Sequence, residues 1–339
     1  MPDFFFLSDS AGTVTTPAQV GSSSNTSLVT AVLDYVRSHM ELTGGTTRPS
    51  VSFNIASGSY SSGWLRFSFG GNNTILVNND PILILRGATS DLFRFVAKTS
   101  PANSWAAEYW NGSAWVQIGA IQSSPSFTAD KVCNVRWVIA DSGGEFRVYI
   151  NGSEVITLTG DTRFTADTTI NTVEFRPPYN TGGNAMRVYY GVIVDDADTR
   201  GLYIDESQTL ANGAETGFLN AEVDIDEFLG SFVATDFIIA NAANQRETYT
   251  FNSINAGLAG GTVEAVMVGI TARSVTDPGL LLKGTARVGG TNYDTASGTR
   301  PTAVDWGDYR FVFENNPATS SPWTQAEVNA AEFGLKSEA

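Results

Sequence analysis

Phe146-Arg-Val-Tyr-Ile-Asn-Gly-Ser-Glu-Val-Ile-Thr-Leu158 is the stretch whose reading decides the fold. Two runs that alternate apolar and polar residues flank Asn151-Gly152. The alternation predicts strands with one buried face, and Asn-Gly supplies the two positive-φ positions of a tight hairpin turn. The same grammar appears earlier, in Ala107-Glu-Tyr-Trp-Asn-Gly-Ser-Ala-Trp-Val-Gln-Ile118. Between Pro49 and Asp195 further period-two runs are Trp64–Phe69, Thr74–Val77, Ile82–Arg86, Leu92–Ala97 and Val132–Ala140. The chain is therefore expected to be mainly β.

A lead-in strand, Gly143-Gly144 and then Val148-Tyr-Ile-Asn-Gly152 resembles the laminin-G/concanavalin-A-like jelly roll. The likeness covers roughly residues 45–195 and implies a β-sandwich without specifying a ligand. Beyond it, strands are expected at 237–240, 247–251, 263–272, 280–288 and 309–313, as a second, smaller sandwich. The expected organisation is an arm over 1–25, a sandwich with a leading helix over 26–198, a connector over 199–220, and a second sandwich over 221–339. One short helix is expected near each terminus. The first runs Ser27–Met40, capped by Asn25 or Thr26, with Leu28, Val29, Val32, Leu33, Val36 and Met40 at helical spacing. The second runs Thr324–Leu335, with Thr324 and Glu327 at capping-box spacing.

The ending Pro322-Trp-Thr-Gln-Ala-Glu-Val-Asn-Ala-Ala-Glu-Phe-Gly-Leu-Lys336, with Gly289-Gly-Thr-Asn-Tyr-Asp294, resembles a group of tailed-bacteriophage virion proteins. That resemblance spans about residues 200–337. It implies a non-enzymatic structural subunit of the virion surface, either a capsid decoration or a tail-associated protein. Its partners would be other virion proteins and further copies of itself in a homo-oligomer, and it would assemble in the host cytoplasm. The expected contact residues are Phe4, Phe5, Phe6, Trp110, Trp115 and Trp323. The three phenylalanines cannot rest in water; they either fold back on the chain or dock on a neighbouring subunit.

The 339 residues carry a formal charge of −15, from 35 acidic and 20 basic residues. With no Lys/Arg run, that balance argues against a nucleic-acid partner. No apolar run is long enough to span a membrane, and the start has no basic flank or apolar core of a secretion signal. The one cysteine, Cys133, lies in an apolar strand and is expected to be buried. The one histidine, His39, sits far from any nucleophile motif, so a Ser-His-Asp triad has no base.

Three chemistries remain in view. Trp105, Tyr109, Trp110 and Trp115 offer rings for stacking on a host-surface glycan, though alternation sends Trp105 and Tyr109 to one face and Trp110 to the other. Glu222-Val-Asp224-Ile-Asp-Glu227 resembles the carboxylate strand of jelly-roll β-glucanases, but Glu227 is out of phase with Glu222 and Asp224. Asp195, Asp196 and Asp198, or Asp224, Asp226 and Glu227, are hard oxygen ligands suited to calcium, without the spacing of an EF-hand. No catalytic residue and no obligatory cofactor is expected.

Overall fold

The computed structural model describes residues 3–5, 13–14, 19–22, 38–44, 50–55, 60–70, 77–102, 104–123, 131–176, 185–202, 205, 207, 209–219, 237–254, 256–258, 260–275, 279–303 and 307–339. The chain divides into two units, Met1–Ile204 and Asp205–Ala339. Among the described residues no helix is long and apolar enough to cross a membrane.

In the first unit the strands are β1 (Asp3–Phe5), β2 (Thr13–Val14), β3 (Gln19–Ser22), β4 (Ser38–Gly44), β5 (Val51–Asn54), β6 (Ser62–Gly70), β7 (Asp80–Arg86), β8 (Asp91–Lys98), β9 (Ser104–Trp110), β10 (Trp115–Gln122), β11 (Lys131–Val138), β12 (Gly144–Ile150), β13 (Ser153–Gly160), β14 (Thr172–Phe175) and β15 (Ala185–Asp195). One antiparallel sheet has the order β13-β12-β11-β6-β15-β4-β3, with β1 also paired to β15. The other has the order β10-β9-β8-β7-β14-β5-β2. Their inner faces share one core. Phe93 stacks on Phe146 across the sandwich at 4.3 Å, and Phe67 meets Phe175 edge-on at 5.3 Å. Cys133 lies in this core, and burial pushes its thiol up.

The Asn-Gly reading of the second hairpin holds in detail. Asn151 and Gly152 take φ of 49° and 79°, and Ile150 faces Ser153 across the turn. That left-handed pair matches the right-handed twist of the flanking strands.

Two expectations at the N-terminal end need revising. Ser38, His39 and Met40 do not end a helix; they open β4, which pairs with β15 and β3. Pairing on both sides overrides a local helical pattern. The rest of that expected helix, residues 26–37, lies outside the described residues. The arm of residues 1–25 supplies strands to the sandwich: Phe4 faces Ile193 and Phe5 faces Val192 in register. Phe6 lies outside the described residues.

The second unit contains β16 (Thr209–Thr216), β17 (Arg246–Phe251), β18 (Val266–Ala272), β19 (Leu281–Val288), β20 (Thr291–Asp294), β21 (Gly307–Phe313), a short helix α1 (Gln325–Ala330) and β22 (Glu332–Glu338). A five-stranded sheet, β16-β17-β22-β19-β20, packs its inner face against the pair β18-β21. The expected connector over 199–220 therefore contains an edge strand. The final helix is shorter than expected. Its capping box forms, with Thr324 N–H donating to Glu327 at 2.8 Å and Glu327 N–H to Thr324 Oγ1 at 3.2 Å. The backbone then turns extended at Ala331 and ends as β22, the central strand. The reason lies in the alternation of Phe333, Leu335 and Ser337, all buried, with the more exposed Glu332, Lys336 and Glu338.

Trp323, expected as a contact residue, is a core residue at 1% exposure, and its indole N–H donates to the Phe313 carbonyl at 3.0 Å.

On the outer face of this sheet Arg246, Lys336 and Lys283 stand opposite one another across β17, β22 and β19. Like charges in register repel, and two carboxylates sit among them. Asp294 reaches Arg246 at 2.6 Å and Lys336 at 3.2 Å; Glu338 reaches Lys283 at 2.8 Å. Burial pushes the Asp294 carboxyl up, but Arg246, Thr285 and Lys336 outweigh it and hold it below the ordinary 3.8. A depressed carboxylate contributes stability that is present above its unfolded pKa and lost as pH falls through its folded pKa. Glu247 is the opposite case, pushed above 4.5 by burial despite the Phe218 N–H and Tyr249. We expect the second unit to gain slightly as pH approaches 4.5 from above, then to lose stability below 3.8. Urea titrations of Asp294→Asn should show a shallower acid loss. An unchanged acid limb would contradict the assignment to Asp294.

Candidate functional site

The first unit's seven-stranded sheet has a face turned away from the core, and its charged side chains are arranged in an ordered way. Register decides which residues share it. On β8, Arg94, Val96 and Lys98 point there; across β9 their partners are Glu108, Ala106 and Ser104. Trp110 and Trp115 face each other at the start of the β9–β10 ladder, on the same side. The opposite parity, Trp105 and Tyr109, belongs to the core side, with Trp105 1% exposed and Tyr109 packed against Phe164 at 4.7 Å.

Glu108, 5% exposed, is the hub of this face. One carboxylate oxygen, Oε2, accepts from Arg94 Nε at 2.8 Å and Nη2 at 2.6 Å, while Oε1 accepts from Lys98 Nζ at 3.0 Å. A buried carboxylate without such partners would cost several kcal/mol, on the order of 3 to 5. Arg94 also lies over the Trp115 ring at 4.1 Å, in cation–π range. Trp110 meets Trp115 edge-to-face at 5.6 Å. Both indoles are half-buried.

A second hub follows on β14, where Glu174, 4% exposed, is held by Arg86 at 2.5 Å and by Arg176. Arg86 also reaches Asp91 at 3.1 Å. Four cations thus stand among three carboxylates on one face of a strongly acidic chain. The turn Asn111–Ala114 fixes the aromatic end: Asn111 Oδ1 accepts from the Ser113 and Ala114 N–H groups at 3.0 and 2.8 Å.

Of the expected contact residues, the structure brings Trp110 and Trp115 together, buries Trp323 in the other unit, and places Phe4 and Phe5 in β1. Reading the sequence missed Arg94, Lys98 and Glu108. Their spacings of four, ten and fourteen residues acquire meaning only once β8 and β9 pair, though Arg94 and Lys98, either side of the outward Val96, are a visible break in an otherwise apolar run.

The other candidates separate differently. Glu222, Asp224 and Glu227, and with them Asp226, lie outside the described residues. In the Asp195 turn, burial and then Asp196 push the Asp195 carboxyl up, and Asp198 is committed to Arg200 at 2.6 Å. Arg200 in turn lies over Trp64 at 4.9 Å and Tyr149 at 4.6 Å, pinning this turn onto the outer face of the other sheet. Among the described residues no group of three or more His, Cys, Asp or Glu is placed to hold a metal ion.

Neither a protein-family model nor a curated protein sequence matches this chain. Solved structures do. The alginate lyase vAL-1 from Chlorella virus is 8% identical with a TM-score of 0.41, over 54% of this chain and 91% of that one. The cellulose-induced protein Cip1 is 11% identical at 0.39, over 53% and 86%. The binding domain of botulinum neurotoxin DC in complex with SialylT is 11% identical at 0.38, over 83% and 67%.

Proposed function

We propose that this protein is a non-enzymatic, glycan-binding β-sandwich module displayed on the surface of a tailed-phage virion. The observation that carries the glycan reading is the Trp110–Trp115 pair set beside the Arg94–Glu108–Lys98 floor. A sugar ring presents an apolar face and a rim of hydroxyls. Indole faces suit the first, and hydrogen-bonding groups already locked in position suit the second at little ordering cost. Arg94 serves both, since it orients Trp115 and fixes Glu108. The virion setting rests on the resemblance of residues 200–337, and its partners there would be other virion proteins and further copies of the chain.

The intact chain screened against an array of bacterial surface saccharides should bind at least one. Trp115→Ala and Arg94→Ala should each weaken that binding about ten-fold or more, the scale of a 1.4 kcal/mol contact. Failure to bind any saccharide, or a Trp115→Ala variant that binds like the parent, would overturn the glycan reading. Absence of the chain from purified virions by quantitative mass spectrometry would overturn the setting.

A further inference from the structure

Lys98 is a buried amine, 7% exposed, and two side chains converge on its Nζ. One is Glu108, at 3.0 Å through Oε1. The other is Asn79, whose carboxamide Oδ1 lies 2.5 Å away. That contact places the amide carbon within about 3.7 Å of Nζ, because a C=O bond is about 1.23 Å long. An amine, an acyl carbon and a carboxylate are thus held together, as an acyl-transfer reaction needs them.

The backbone holds this arrangement on both sides of Lys98. Asn79 sits at φ 64° in the turn before β7, and its N–H donates to the Ala97 carbonyl at 2.8 Å. Asn78 Oδ1 accepts from the Thr99 N–H at 3.3 Å. Arg94 keeps Glu108 Oε2 occupied, so Oε1 alone is directed at the amine. Asn79 itself is exposed, which gives a leaving group a path to water.

We propose that Lys98 and Asn79 form an intramolecular isopeptide bond, with Glu108 as the proton carrier. Glu108 takes a proton from the Lys98 ammonium, and the freed Nζ attacks Asn79 Cγ. The Nζ–Cγ bond forms and the Cγ–Nδ2 bond breaks as Glu108 delivers protons to the departing nitrogen. The Lys98 ammonium and the Asn79 carboxamide become a secondary amide and an ammonium ion. Two protons pass from Nζ to Nδ2, charge balances, and no oxidant or co-reactant is required. The bond closes the open end of the β7–β8 hairpin into a covalent ring. In a chain whose single cysteine is buried, it supplies a cross-link that reducing conditions do not open. This inference shares the Glu108–Lys98 contact with the glycan reading but does not require that reading, since the intact mass and saccharide binding are separate readouts.

Denaturing intact-mass measurement of the full chain, after prolonged incubation of the folded protein, tests it. The expected mass is lower than the sequence mass by one ammonia, and digestion yields a branched peptide joining Asn79 to Lys98. Lys98→Arg, Asn79→Ala and Glu108→Gln should each retain the full mass. A parent chain at full sequence mass would overturn the proposal. So would an ammonia loss that maps to Asn111, Asn151 or Asn212, each followed by glycine, where succinimide closure also expels ammonia. The branched peptide of the parent decides the question even if a variant fails to fold.

Discussion

Gly334→Ala should lower the stability of the second unit by on the order of 3 kcal/mol or more, enough to shift its melting by roughly 10 °C. Gly334 lies mid-way along β22, the central strand, between Thr248 of β17 and Thr285 of β19. A methyl group there would sit 1.9 Å from the Glu247 carbonyl oxygen and 2.8 Å from Thr248 Cα. Those obstacles are backbone, so no rotamer change relieves the clash. Relief requires β17 and β22 to separate, which loosens the ladder that carries Tyr249, Phe333 and Leu335 into the core. Hydrogen exchange read by mass spectrometry should show lost protection in β17, β19 and β22, with β6, β11 and β12 of the other unit unchanged. An alanine variant with parental protection in β22 would mean that the two strands are not held at this approach.

How much of this was legible beforehand depends on where each residue's partners lie. The hairpin at Asn151-Gly152 was readable because its turn chemistry and its alternation are both local. The capping box at Thr324 and Glu327 was readable for the same reason. β22 was not. Ala330-Ala-Glu-Phe-Gly-Leu335 favours helix on propensity, and only strands β17 and β19, distant in sequence, make extended backbone the better state for it. β16 was hidden for a different reason. As an edge strand it alternates against water rather than a core, and register shifts near Ala211 and between Asn212 and Thr216 break its period. The aromatic end of the candidate site could be seen in advance, because Trp110 and Trp115 flank a recognisable turn. Its charged floor could not, since Glu108 meets Arg94 and Lys98 only through strand pairing. Asn79 meets Lys98 only because the turn at 77–79 docks on the end of β8.

The second large effect is expected in the jelly roll itself. Trp137→Ala should cost about 3 to 5 kcal/mol, the range for deleting a fully buried aromatic side chain. Trp137 is 0% exposed in β11 and its ring lies over Gly63, its cross-strand partner in β6. A Cβ at Gly63 would come within 2.6 Å of Trp137 Cζ2, so the bare glycine is what admits the indole. The indole N–H also donates to the Tyr60 carbonyl at 3.0 Å, tying β11 to the segment that enters β6. Ring and hydrogen bond can be separated. Trp137→Phe keeps most of the apolar volume but leaves the Tyr60 carbonyl without its donor, and should cost about 1 to 3 kcal/mol. Urea unfolding of the three proteins, followed by exchange protection in β6 and β11, gives the order parent, Phe, Ala. Equal losses for Phe and Ala would place the whole effect on the hydrogen bond. A loss below about 1 kcal/mol for Ala would contradict the burial that defines this core.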